Sequence, residues 1–133
     1  MKTNIDAGIL TWRLTLGILM LFHGLHKLIN GVSYIEGLFT EMGLPAFFAH
    51  SVHIGEIIAP LMLVFGFRTK IAAIIYAMTM VVAVGMSHMG HLMELNQTGA
   101  WAVELNALFL FGAVGLIFTG GGKYAVSKTN KWD

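Results

Sequence analysis

The chain has 133 residues, 56% of them hydrophobic and only 11% charged, at a mean hydropathy of +0.75. That is the length of one domain, and it is too apolar for a soluble one, which carries roughly 25% charged residues. A formal charge of +1 presents no basic surface and excludes nucleic acid as a partner, while the lack of cysteine excludes disulfides, dithiol exchange and thiolate-held iron–sulfur clusters.

Four apolar segments follow one another at about residues 9–29, 46–67, 71–87 and 99–119, each near the ~20 residues that cross a hydrocarbon core. The first ends at Gly24, His26 and Lys27 with no small-x-small cleavage site and reads as a retained span. Helices satisfy their own backbone groups in lipid, so the expected fold is all-α, an integral membrane four-helix bundle occupying residues 1–133 as one domain. Turn residues separate the segments: Asn30-Gly31, Gly43-Leu44-Pro45, Gly66-Phe67-Arg68, Asn96 to Gly99, and Gly120 to Gly122.

Lys2, Arg68 with Lys70, and Lys123, Lys128 and Lys131 alternate with loops that carry Glu36, Glu41 and Glu94. The positive-inside rule therefore predicts an N-in/C-in topology, with the first and third loops outside. Arg13 is expected to snorkel to the inner headgroups or pair with Asp6, and Lys27 to lie near the outer end of the first helix. Gly17, Gly24, Gly55, Gly112 and Gly115 suit close helix packing. Trp12 and Trp101 suit an interfacial belt, and Pro60 is placed to free a carbonyl one turn upstream in the second helix.

All six histidines fall in three H-x-x-H pairs, His23/His26, His50/His53 and His88/His91. Residues three apart on a helix project within about 60° of each other, so each pair shares a face. In the predicted topology the pairs close the first helix, open the second and close the third, which brings them to one side of the bundle. Glu56 continues the second pair's stripe roughly 9 Å deeper, and the fourth helix enters from the same side with Glu104 and Asn106. A charge at membrane depth costs at least ~2.5–3.5 kcal/mol, so Glu56 and Glu104 are expected to be paired, protonated or metal-bound. Imidazole and carboxylate together suit iron, copper or zinc without distinguishing them. The candidate metal ligands are His23, His50, His53, Glu56, His88, His91 and Glu104, with His26 and His91 furthest out. The competing assignment for each histidine is an interfacial side chain bonded to water or headgroups, and for each glutamate a structural ion pair, with Lys27 among the partners.

At this point the residues resemble a known family. Arg13-Leu14 with Gly17, Gly24 followed by Lys27-Leu28, Gly43-Leu44-Pro45, Glu56, Gly66-Phe67-Arg68-Thr69, His88, Glu104 and Gly120-Gly121-Gly122 together resemble the DoxX family of small four-helix bacterial membrane proteins. The resemblance implies oxidoreductase-type activity in the bacterial cytoplasmic (inner) membrane, with relatives tied to quinone-linked thiosulfate oxidation and to catechol or quinone stress. Two features depart from the family pattern. The histidine array is richer, and Tyr124-Ala125-Val126-Ser127 stands where a Ser-x-Asp often closes the chain.

The expected function is a membrane redox protein whose His/Glu site near the outer leaflet binds a metal or haem and exchanges electrons and protons with a quinone. Glu56, Glu104, His53 and His88 are the candidate catalytic residues, and Phe22, Phe48, Trp101 and Lys27 the candidate cofactor-binding ones. Expected partners are the lipid bilayer, a quinone or small redox molecule, a soluble redox protein and a second copy of the chain. The alternative is a non-enzymatic membrane subunit or carrier that anchors a redox partner or moves a metal or proton.

Overall fold

A computed structural model describes residues 3–87, 89–97 and 99–133, with the side chain of His91 outside the description. Helix α1 (Ile5–Asn30) starts where the Asn4 side chain accepts the Ala7 N–H at 3.0 Å. It stops at Gly31, whose positive φ of 85° turns the chain and whose N–H closes on the Lys27 carbonyl. A short helix α2 (Ser33–Glu41) follows, which segment length alone did not predict. Pro45, in extended conformation, then opens α3 (Ala46–Phe65).

Helix α3 changes pitch along its length, from a 3-10 turn at Ala46–Ser51 through a π-helical stretch at Ile54–Ile58 to a regular α-helix at Ala59–Phe65. Pro60 is the cause within the sequence. It lacks the N–H that would bond the carbonyl four residues back, which is Glu56, and its ring crowds that carbonyl. The ladder shifts register, so the Ala59 N–H reaches Ile54 instead. Gly66, at φ 70°, ends the helix, and α4 (Thr69–Ser87) begins three residues later.

Helix α5 (Glu104–Thr119) is shorter than the 99–119 segment. Its expected first turn is taken up by a loop in which Leu95 and Trp101 form an antiparallel bridge and the Ala102 N–H bonds the Glu94 carbonyl at 3.0 Å. The described chain is thus helical, with three helices long and apolar enough to cross a membrane and one shorter apolar helix. Phe111, Phe118 and Ile29 stand exposed on the outer faces, as lipid contact allows and water would not. These features make it a multi-pass membrane helical bundle.

The four long elements alternate in direction, and α1, α3, α4 and α5 enclose a core that includes Leu16, Met20, Leu63, Tyr76, Phe109 and Ala113. Apolar burial does not drive helix association in lipid, so close packing must. A methyl group at Gly17 would lie 2.9 Å from the Pro60 carbonyl oxygen, so glycine is required there, and one at Gly112 would lie 2.7 Å from Trp12 Cζ2, so the indole would have to shift. At Gly115 a methyl group would meet nothing within 4 Å, so this glycine is not a packing contact as expected. Trp12 donates its indole N–H to the Gly112 carbonyl at 3.1 Å and ties α1 to α5, in addition to any interfacial role.

Arg13 neither snorkels nor pairs with Asp6. Its guanidinium is buried at the end of the bundle opposite the histidines and donates to the carbonyls of Gly121 (2.7 Å) and Tyr124 (3.3 Å). Asp6 instead accepts the Lys123 N–H at 2.9 Å. The segment after Gly122 closes this end: the Val126 and Ser127 N–H groups bond the Phe65 and Gly66 carbonyls, the Lys70 N–H bonds the Trp132 carbonyl, and Arg68 donates to Asp133 at 3.1 Å. Burial works against the Asp133 charge, yet the Ser127 hydroxyl, the Asn130 N–H and Arg68 together hold its carboxyl below the ordinary value.

Candidate functional site

Three local features of the sequence converge on one point of the bundle. Pro60 releases the Glu56 carbonyl, Gly24 lets α1 rest against that stretch of α3, and Lys27 follows Gly24 by three residues, on the same face of α1. The result is an ion pair between Lys27 Nζ and Glu56 Oε1. The Glu56 side chain is only 4% exposed and that of Lys27 30%, so the pair lies inside the bundle with the ammonium toward its histidine-bearing end.

The second carboxylate oxygen, Glu56 Oε2, is buried and has no hydrogen-bond partner among the described residues. Leaving a charged acceptor bare in a low dielectric is costly. The pair borders a cavity of about 660 Å³ whose walls are chiefly apolar. Met20 and His23 reach it from α1, Phe39 from α2, Thr79 from α4, and Asn106 and Phe109 from α5. A space of this size, with few polar groups, is within the range of small-molecule sites.

His23 Nδ1 lies 3.0 Å from the Leu19 carbonyl. A carbonyl can only accept, so the contact holds the proton on Nδ1 and leaves Nε2 as the basic atom. The ring also meets the edge of Phe109 at 6.1 Å, and Phe109 in turn meets Tyr76 at 6.0 Å. Tyr76 donates to the Leu16 carbonyl and is fixed as a strut between α4 and α1.

The remaining candidates are spread more widely. His50 stands exposed 3.6 Å from Glu36, tying the first turn of α3 to α2, and its ring lies 6.0 Å from that of His53. His53 is half-buried, and its Nδ1 has no partner among the described residues. Glu104 was expected beside Glu56 in one buried layer, but it is exposed in the first turn of α5, where the helix dipole favours its charge. Among the described residues no three histidine or acidic side chains come together as a metal site. His88 and the side chain of His91 lie outside them.

Of the candidate cofactor contacts, Lys27 lines the large cavity and Trp101 lines a second, smaller one. Phe22 projects from the outer face of α1, and Phe48 stacks on Phe47 at 4.4 Å on the surface; neither borders either cavity. Sequence reasoning missed the contribution of α2. Its apolar residues Ile35, Leu38 and Phe39 line the cavity at the i, i+3, i+4 spacing that could have revealed it.

The family model DoxX matches residues 8–89, which hold the whole Gly24, Lys27 and Glu56 arrangement. A protein of Bacillus subtilis (strain 168) named "Putative oxidoreductase CatD" is 31% identical over 84 residues, 63% of this chain and 62% of that protein. The chain therefore matches under two thirds of that relative's length. No solved structure matches the chain. With the family model covering more than half of its length, this membrane helical bundle belongs to the DoxX family.

Proposed function

We propose that the chain is a membrane redox protein that binds a quinone-type ring in the cavity beside Lys27 and Glu56. The observation that carries this reading is the buried ion pair with one bare carboxylate oxygen, set in the wall of a chiefly apolar cavity. Family membership and the oxidoreductase name of the Bacillus relative support a redox role.

The charge balance selects the ligand. Lys27 and Glu56 neutralise each other, so an anionic substrate would enter a low-dielectric space without a counter-charge. A neutral ring with oxygen substituents meets no such cost. Its carbonyl accepts a hydrogen bond from Lys27 or from the Asn106 amide. Once reduced, its hydroxyl donates to Glu56 Oε2, the atom that lacks a partner.

Reduction of a quinone to a quinol takes two electrons and two protons. The electrons come from a redox protein at the same membrane, and the protons pass through the ionisable groups of the cavity. His23 Nε2 is a basic atom in the cavity wall toward the histidine-bearing end, which the charge bias assigns to the outer side of the bacterial inner membrane. Titrating a tail-less benzoquinone into protein in lipid nanodiscs tests the reading. Binding should saturate for the wild type and weaken at least tenfold in Lys27→Met and Glu56→Gln. Equal binding by all three proteins would overturn it.

A second reading rests on the buried, unpartnered Nδ1 of His53. Here His53 holds a metal ion or haem iron, with His88 as the expected further ligand. Metal retained in a His53→Ala, His88→Ala double variant would exclude it.

A further inference from the structure

A second cavity of about 330 Å³ lies between α4 and α5, under the loop that precedes α5. Its lining includes Val84, Gly85, Leu110 and Phe111, and Asn106 contributes the amide on its wall. Trp101 lines it from the loop, and its indole N–H is already used on the Leu92 carbonyl at 2.8 Å. It opens toward the outer face of the bundle, where its lining residues Val81 and Phe111 stand exposed, so in a membrane it faces hydrocarbon rather than water. The space suits a hydrocarbon chain: at roughly 30 Å³ per water-sized group it takes roughly ten methylenes.

Two residues, Met80 of α4 and Asn106 of α5, line both cavities. The two spaces therefore adjoin at these residues, the first with Lys27 and Glu56 in its chiefly apolar wall and the second lined almost wholly by hydrocarbon. We infer that they form one bipartite site: the ligand's oxygen-bearing head lies beside Lys27 and Glu56, and its aliphatic tail passes Met80 and Asn106 into the second cavity. The inference rests on the proposed head-group site and adds the class of ligand, a neutral ring carrying a hydrocarbon tail of at least about ten carbons. Asn106 is then a specificity residue at the junction, able to donate to or accept from the ring while the tail continues past it.

Gly85 makes the tail cavity testable without disturbing the bundle. A methyl group there would meet nothing within 4 Å, and replacing glycine inside a helix favours the helix. Gly85→Leu fills the cavity from α4, and Ala107→Phe fills it from α5 should the first variant fold poorly. The probes are a tail-less benzoquinone and the same ring with two isoprene units, measured in the same nanodiscs so that partitioning into lipid cancels between proteins. The expected result is a loss of about tenfold or more for the tailed ring in the filled variants, with the tail-less ring unchanged. Equal affinities of wild type and filled variants for the tailed ring would overturn the tail site. Release of a co-purified phospholipid by Gly85→Leu, with no displacement of that lipid by the tailed quinone, would also overturn it, by assigning the cavity to a lipid acyl chain. Failure of the tail-less ring to bind wild-type protein would count against the head-group reading instead.

Discussion

The backbone of α1 at Gly24 rests so close to α3 that a methyl group in place of its hydrogen would lie 2.8 Å from the carbonyl carbon of Glu56. This contact sets the distance between the helices that carry Lys27 and Glu56. Gly24→Ala should therefore separate α1 from α3 and reduce both folded yield and quinone binding. Gly115→Ala meets open space and should leave both unchanged or slightly improved, since alanine is favoured over glycine in a helix by roughly 1 kcal/mol. Thermal unfolding of the two variants in one detergent provides the comparison, and equal stability would show that the glycine contact is dispensable.

The ion pair predicts a non-additive cycle. A Glu56 buried without a cation would be neutral, and Glu56→Gln would then be silent. Because Glu56 is paired with Lys27, removing either partner strands the other charge. Each single variant, Glu56→Gln or Lys27→Met, should lose about 2–3 kcal/mol, the low end for a buried pair because Lys27 is partly exposed. The double variant should recover most of that loss. Additive losses in chemical unfolding would show that the two groups do not interact.

Asp133 gives a pH dependence at the opposite end. Its carboxyl is held below the ordinary value by hydrogen bonds that outweigh burial, so the folded state favours the charged form. The stabilisation is complete above the unfolded carboxylate value of about pH 4 and is lost as pH falls through the depressed value. Trp132 fluorescence should report release of the final segment only below about pH 4. In Asp133→Asn that transition should disappear; a transition near neutral pH would assign docking to another group.

Topology can be tested with reporters placed after Asp133 and between Arg68 and Lys70. The structure puts both positions at one end, since the Lys70 N–H bonds the Trp132 carbonyl. The charge bias assigns that end to the cytoplasm. Signals from opposite sides would contradict the fold, whereas two external signals would reverse only its orientation.

Hydrophobic length and glycine placement made the bundle legible, because a span must be apolar for ~20 residues whatever it packs against. Glu56 was legible as an expensive charge, and Lys27, expected near the outer end of the first helix, was among the partners considered for it. Their pairing required the Gly24 contact and the π-helical register, both of which depend on two helices at once. Helix α2 escaped notice because nine residues are too few to register as a span. Helical spacing could put two histidines on one face but could not say that His50 would turn to Glu36, or that a loop would hold Glu104 outside the buried layer. The role of the final segment was likewise invisible, since Arg13 is held there by backbone carbonyls, which carry no sequence signature.

The most direct test of the head-group site is covalent mapping with a photoreactive tail-less quinone in membranes containing the protein. Labelled residues, identified by peptide mass spectrometry, should be those around Lys27 and Glu56, such as Met20, Thr79 and Phe109, and excess unlabelled quinone should suppress them. Label concentrated instead at Phe22 and Phe48 on the outer surface, or insensitive to competitor, would contradict the account.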